Sequence, residues 1–208
     1  MRNRYGRGAA LLALVLMSGV VPAHAHHVMG GRTPATFVEG VLSGLGHPII
    51  GLDHLAFLVA VGIAVGVARL SLAMPAVFVA ASALGVAIHV QGISVPGAEL
   101  LVALSVALVG VLVARAVALA PVAWAGLFAL AGLLHGYAFG ESIFGAEATP
   151  LAAYLLGLIV IQGALAVGLA YAVRARGAAI ADMAPRLAGA AIAGIGLAFI
   201  AQQVLPGG

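Results

Sequence analysis

Between residues 49 and 205 the chain is built from six apolar stretches, at about 49–69, 74–93, 98–118, 121–140, 150–173 and 186–205. A bilayer's hydrocarbon core is about 30 Å thick and takes about 20 helical residues to cross. In that solvent every backbone N–H and C=O must be bonded internally, so isolated stretches of this length can only be helices. The expected fold is therefore all-α, a polytopic membrane bundle of six transmembrane helices. Composition agrees, with 64% hydrophobic and 7% charged residues, against about 25% charged in soluble domains. Small residues at helical spacing, Gly62/Gly66 and Gly132/Gly136/Gly140, suit close helix packing.

The N-terminus reads as a secretory signal over residues 1–25. Arg2, Arg4 and Arg7 form its basic region, Ala9 to Val21 its apolar core, and Pro22-Ala23-His24-Ala25 its cleavage site. Residues 26–208 would then form one six-helix transmembrane domain. His26 and His27 would begin the mature chain outside the cytoplasm, either as metal ligands with the α-amine or simply as a soluble terminus. The loops expected inside carry Arg69, Arg115, Arg174, Arg176 and Arg186, and the outer segments of the mature chain only Arg32. The positive-inside rule thus agrees with the signal, and points to a bacterial inner membrane with both mature termini periplasmic. A pI near 10 does not indicate nucleic acid, because the nine basic residues are scattered arginines beside apolar stretches. With no cysteine, any metal must be held by nitrogen and oxygen.

Polar residues gather at the outer ends of the stretches. His47, Asp53 and His54 open the first, His89 and Gln91 close the second, His135 and Glu141 close the fourth, and Gln202 and Gln203 close the sixth. A charged side chain inside a membrane helix costs about 2.5–3.5 kcal/mol on insertion scales, so such clusters mark sites by default. Imidazole with carboxylate is a ligand set for divalent transition metals. On a continuous helix His47 and His54 would stand about 10.5 Å apart along the axis. That is too far for one ion with metal–nitrogen bonds of about 2 Å. Either the stretch Gly46–Gly51 is not helical and folds His47 back, or the two histidines serve successive positions. Asp53 is placed to steady an imidazole. Plainer readings stand beside these. His89 suits a packing histidine, Glu39 and Glu99 solvated interfacial acids, Glu141 and Glu147 outer-loop acids, and Trp124, Tyr137, Phe139 and Tyr154 an aromatic belt. Thr33-Pro34 reads as the start of a short interfacial helix over 34–45, interrupted by Gly44, Gly46, Pro48 and Gly51 before the first span.

His47-Pro48-Ile49-Ile50-Gly51-Leu52-Asp53-His54 resembles the HPxxGxDH signature of the HupE/UreJ membrane proteins. The likeness extends to the signal, the six spans and a second motif on the fourth span, which in that family reads HGxAHGxE. Here His135, Gly136, Ala138 and Gly140 match, Glu141 stands one position nearer, and Phe139 replaces a histidine. The resemblance implies a secondary permease, not an enzyme, for a divalent transition-metal ion, Ni²⁺ or Co²⁺, bound transiently and with no prosthetic group. It implies His47, Asp53, His54 and His135 as metal ligands with His89 and Glu141 in support, and a hydrogenase or urease maturation system as partner besides the ion and membrane lipids. Two readings from other classes remain open: a metal sensor or metalloenzyme-assembly protein without flux, and an intramembrane zinc hydrolase.

Overall fold

The computed structural model describes residues 32–205. The expected signal segment, and with it His26 and His27, lies outside the described residues. These fold into α1 (Phe37–Ile50), α2 (Leu52–Val67), α3 (Pro75–Val90), α4 (Ala98–Ala114), α5 (Pro121–Gly140), α6 (Ala148–Ala175) and α7 (Met183–Val204). A 3₁₀ turn over Glu141–Ile143 extends α5. There is no strand among the described residues. Each of the six apolar stretches holds one helix, α2 to α7. Three helices, α5 with its 3₁₀ extension, α6 and α7, are long and apolar enough to cross a membrane, as are α1 and α2 taken together. At 16 and 17 residues, α3 and α4 are shorter apolar helices.

The region before the first stretch differs from expectation. The cap is Thr36, not Thr33, and it closes a reciprocal capping box. Thr36 Oγ1 accepts from the Glu39 N–H at 3.2 Å, while Glu39 Oε2 accepts from the N–H groups of Thr36 at 3.2 Å and Ala35 at 2.8 Å. Glu39 is therefore a capping residue, satisfying donors that a helix start leaves open. Gly44, Gly46 and Pro48 do not interrupt α1, which runs on to Ile50 and breaks only at Gly51. Two of its glycines serve close approach instead. A Cβ on Gly40 would meet the Pro150 carbonyl at 2.5 Å, and one on Gly44 would collide with the Tyr154 carbonyl. So α1 is packed on α6, not laid separately at an interface.

Further small-residue contacts fix the helix directions. Gly40 and Gly44 face Pro150 and Tyr154, while Gly62 and Gly66 face Ala166 and Ala170. Both halves of the bent α1–α2 pair thus advance along α6 in the same sense, on a 28-residue helix of about 42 Å. In α3 and α5, Gly132 faces Phe78, Gly136 faces Ser82 and Gly140 faces His89, so these two are also parallel. In α4 and α7, Gly196 faces Ala107 and Gly189 faces Ala114, so these are antiparallel. All three relations are those of a chain whose helices α2 to α7 alternate in direction.

At the centre lies α2. Phe57, Leu58, Ala60, Val61, Ala64 and Val65 have no exposed surface, as expected for a helix that is apolar all round. The two ends of the bundle differ in chemistry. One collects Arg69, Arg115, Arg174, Arg176 and Arg186, and two of them reach helix C-termini. Arg174 Nη2 donates to the Val65 carbonyl at 3.2 Å and Arg186 Nε to the Ala114 carbonyl at 3.1 Å. Both carbonyls lie in the last turns of α2 and α4, at the end where a cation is favoured, and the Val65 carbonyl also accepts the Leu70 N–H at 3.1 Å. The histidines lie at the opposite end.

Candidate functional site

The break at Gly51 builds the site. There α1 and α2 meet at a bend of 78°, and the His47 and His54 rings come to 5.7 Å between centroids. The sequence option of a non-helical stretch is corrected: residues 46–50 are helical, and the chain folds His47 back at Gly51 alone. A Cβ at this position would lie 2.7 Å from His54 Cδ2 and 3.3 Å from Asp53 Oδ1, so a larger residue would have to displace the His54 ring. Asp53 sits in the first turn of α2, where a carboxylate suits the helix N-terminus. Its Oδ1 accepts the His54 backbone N–H at 2.9 Å.

His47, His54 and His135 are all buried, at 4%, 6% and 0% exposure, so their polar atoms require partners inside the protein. His54 Nδ1 lies 2.9 Å from His135 Nδ1, and His135 Nε2 lies 3.0 Å from Ser105 Oγ on α4. His47 Nδ1 lies 2.8 Å from Ser142 Oγ and 3.0 Å from the Tyr154 hydroxyl. Phe139 packs against the rings of His47 and His54, at 5.1 and 4.3 Å between centroids. Below them Phe57 stacks on Phe78, and both contact the His135 ring at 4.4 and 5.8 Å. The imidazoles thus stand on an aromatic floor, with the apolar core beneath.

His89 and Glu141 are not in this cluster. They line a separate cleft of about 280 Å³ with Glu99, Tyr137 and Gln203 at the same end of the bundle. Glu99 Oε2 accepts from Gln203 Nε2 at 2.6 Å. The Tyr137 ring lies 4.6 Å from that of His89, and its hydroxyl bonds the Val95 N–H and the Ile93 carbonyl, both at 2.9 Å. Among the described residues no three histidine, aspartate or glutamate side chains form a group that could hold a metal ion. The six sequence-named residues therefore divide into a buried imidazole set, with Asp53 beside it, and an open cleft.

Three aromatic assignments are corrected. Trp124 is buried in the core beside Phe128, and Phe139 and Tyr154 are fully buried against His47; none of the three forms a belt. Ser105, Ser142, Tyr154 and Glu99 are the site residues that sequence reasoning passed over. Only the position of Ser142, directly after Glu141 in the second motif, offered a signal.

Fold and site together define a helical membrane protein with a buried imidazole cluster at one end. The profile of the HupE / UreJ protein family matches residues 12–199. Protein HupE of Rhizobium leguminosarum bv. viciae is 32% identical over 200 residues, covering 95% of this chain and 98% of that protein. The chain belongs to the HupE/UreJ family. No solved structure matches it.

Proposed function

We propose that this protein is a secondary permease for a divalent transition-metal ion, with Ni²⁺ the leading substrate and Co²⁺ the next. It takes the ion from the periplasmic face of a bacterial inner membrane. The observation that carries the reading is the Gly51 bend, which brings His47 and His54 from opposite sides of a broken helix to 5.7 Å between rings. Broken helices at membrane depth are a recurrent way to build ion sites in transporters. Asp53, at the positive end of α2, supplies the charge, and His135 stands directly behind His54. His89 and Glu141 line the cleft through which the hydrated ion approaches. The alternating helices and the arginines at the opposite end support six crossings with cytoplasmic arginine loops. The cleavable signal over residues 1–25 belongs to the same topology.

Few and partly exchangeable ligands suit transport, because an ion must leave as well as bind. The sequence holds no GxxxxGK[ST] phosphate loop. The inside-negative potential would drive the ion instead, by about 2.3 kcal/mol per charge per 100 mV. Hydrogenase or urease maturation is the process such an uptake would feed.

Uptake into proteoliposomes tests this, comparing nickel, cobalt, copper and zinc for wild type and Asp53→Asn. Selective flux lost in the variant is the expected result. Tight binding without flux would overturn the permease and favour a metal sensor.

A further inference from the structure

Past the imidazole cluster, toward the arginine end, one buried acceptor lacks a partner among the described residues. The buried polar side chains there and elsewhere are Ser43, His47, His54, Ser82, His135, Ser142 and Gln162. Five of them lie on α1 or in the imidazole network; Ser82 on α3 and Gln162 on α6 do not. Gln162 has no exposed surface, and its Nε2 donates to Ser82 Oγ at 3.1 Å. Its Oε1 is buried and meets no donor. An amide oxygen left unpaired in an apolar interior is costly, so its presence calls for a reason.

Its depth supplies one. On α6, Gln162 follows Tyr154, which packs on His47, by eight residues, about 12 Å along the axis. Arg174 comes twelve residues later, a further 18 Å or about that. On α3, Ser82 stands one turn from Phe78 of the aromatic floor, and a Cβ on Gly136 would collide with its carbonyl. The pair thus sits at mid-depth, between the imidazoles and the arginine end. No carboxylate shares that depth. Glu39, Asp53, Glu99, Glu141 and Glu147 lie at the histidine end, and Asp182 stands at the start of α7.

Carbonyl oxygens replace hydration waters along ion pathways, and conduction requires each step to bind weakly enough to release. A neutral amide oxygen meets that condition, whereas a carboxylate at the same depth would hold a dication far longer. The Ser82 hydroxyl can donate or accept. Here it accepts from Nε2, which leaves Oε1 as the acceptor still open. A passing cation favours that same sense of the amide, because it attracts the oxygen and repels the NH₂.

We propose that Gln162 is a transit ligand. Its amide oxygen receives a divalent cation from the imidazole cluster and replaces one of the ion's waters at mid-membrane depth. Ser82 is the positioning residue that holds the amide. This rests on the permease reading above and adds to it a ligand on the inner side of the cluster.

Ni²⁺ uptake into proteoliposomes by the full chain tests it, with affinity read separately by calorimetry. Gln162→Leu should lower the maximal uptake rate about tenfold, equivalent to about 1.4 kcal/mol, with the calorimetric affinity unchanged. Ser82→Ala, which leaves the amide without its anchor, should give a rate between those of wild type and Gln162→Leu. The double variant, Ser82→Ala with Gln162→Leu, removes both hydrogen-bond partners together, a change that is commonly neutral or stabilising. It should melt no lower than wild type and transport as slowly as Gln162→Leu. A wild-type rate in Gln162→Leu would overturn the proposal. So would affinity falling in step with rate, or a lowered melting temperature in the double variant, since either would make the pair structural. The two ideas fail on different proteins. Absence of uptake by the wild type overturns the permease reading and this ligand with it, whereas normal uptake by the variants overturns this proposal and spares the permease.

Discussion

Two polar clusters share the histidine end of the bundle, and they are built on opposite terms. In the buried one, His47, His54 and His135 are at most 6% exposed and bond one another or the hydroxyls of Ser105, Ser142 and Tyr154. In the cleft, Glu99 and Glu141 are exposed and His89 is half-buried, its Nδ1 without a partner among the described residues. Burial demands satisfied hydrogen bonds, and satisfied bonds fix ring orientation. Exposure permits water to serve Glu99 and Glu141, so their charge is screened, whereas Nδ1 of His89 is buried without a partner among the described residues. In the proposed permease one cluster would discriminate between ions and the other would gather them.

The comparison is broken most severely through His54. Replacing it with alanine removes one of the two rings at the bend and leaves His135 Nδ1 buried without its partner. Uptake of Ni²⁺ into proteoliposomes should fall to the level of vesicles without protein. Melting behaviour should change by no more than about 1–3 kcal/mol, the cost of one unsatisfied buried group. Uptake that survives this substitution would remove the buried cluster from the transport path.

A smaller and more local test is Gly51→Ala. The φ of −71° at Gly51 is open to any residue, so backbone strain is not the issue. The added Cβ would lie 2.7 Å from His54 Cδ2, and the ring must turn to escape it. Pushing a side chain about 30° from its rotamer costs about 0.5–1.5 kcal/mol, which is about a two- to tenfold loss of affinity. Ni²⁺ calorimetry should show that loss with secondary structure unchanged. Affinity equal to wild type would mean that ring placement at the bend does not govern binding.

How far this was legible in the sequence follows the same division. Hydrophobic runs of bilayer length placed α2 to α7, because a membrane leaves the backbone no alternative to the helix. Gly51 was named among the breakers, but so were Gly44, Gly46 and Pro48. Local propensity could not reveal that Gly44 is needed where α1 meets Tyr154, a contact more than a hundred residues away in sequence. The motif histidines were visible because an imidazole is rare and costly in apolar surroundings. Ser105 and Ser142 were not, since a serine in a membrane helix ordinarily bonds its own backbone. Ser105 does so too, with Val102, and only tertiary packing also brings its hydroxyl to His135 Nε2. Tyr154 was placed in an aromatic belt by composition, and only tertiary packing puts its hydroxyl on His47.

The smallest effect belongs to the cleft, and it sharpens the comparison most. Glu141→Gln removes one exposed charge, and His89→Ala opens the wall of the cleft without touching the His54–His135 pair. If these groups gather ions, both variants should raise the half-saturating Ni²⁺ concentration a few-fold, about 0.5–1 kcal/mol, with the maximal rate unchanged. For Glu141→Gln the difference from wild type should shrink as salt is raised, because attraction between exposed charges is screened beyond about 10 Å at 0.1 M ionic strength. A maximal rate that fell as steeply as in His54→Ala would mean that the ion is bound, not merely collected, at His89 and Glu141. The two clusters would then be one site divided between two walls of the bundle, and their different hydrogen bonding would reflect only their depth.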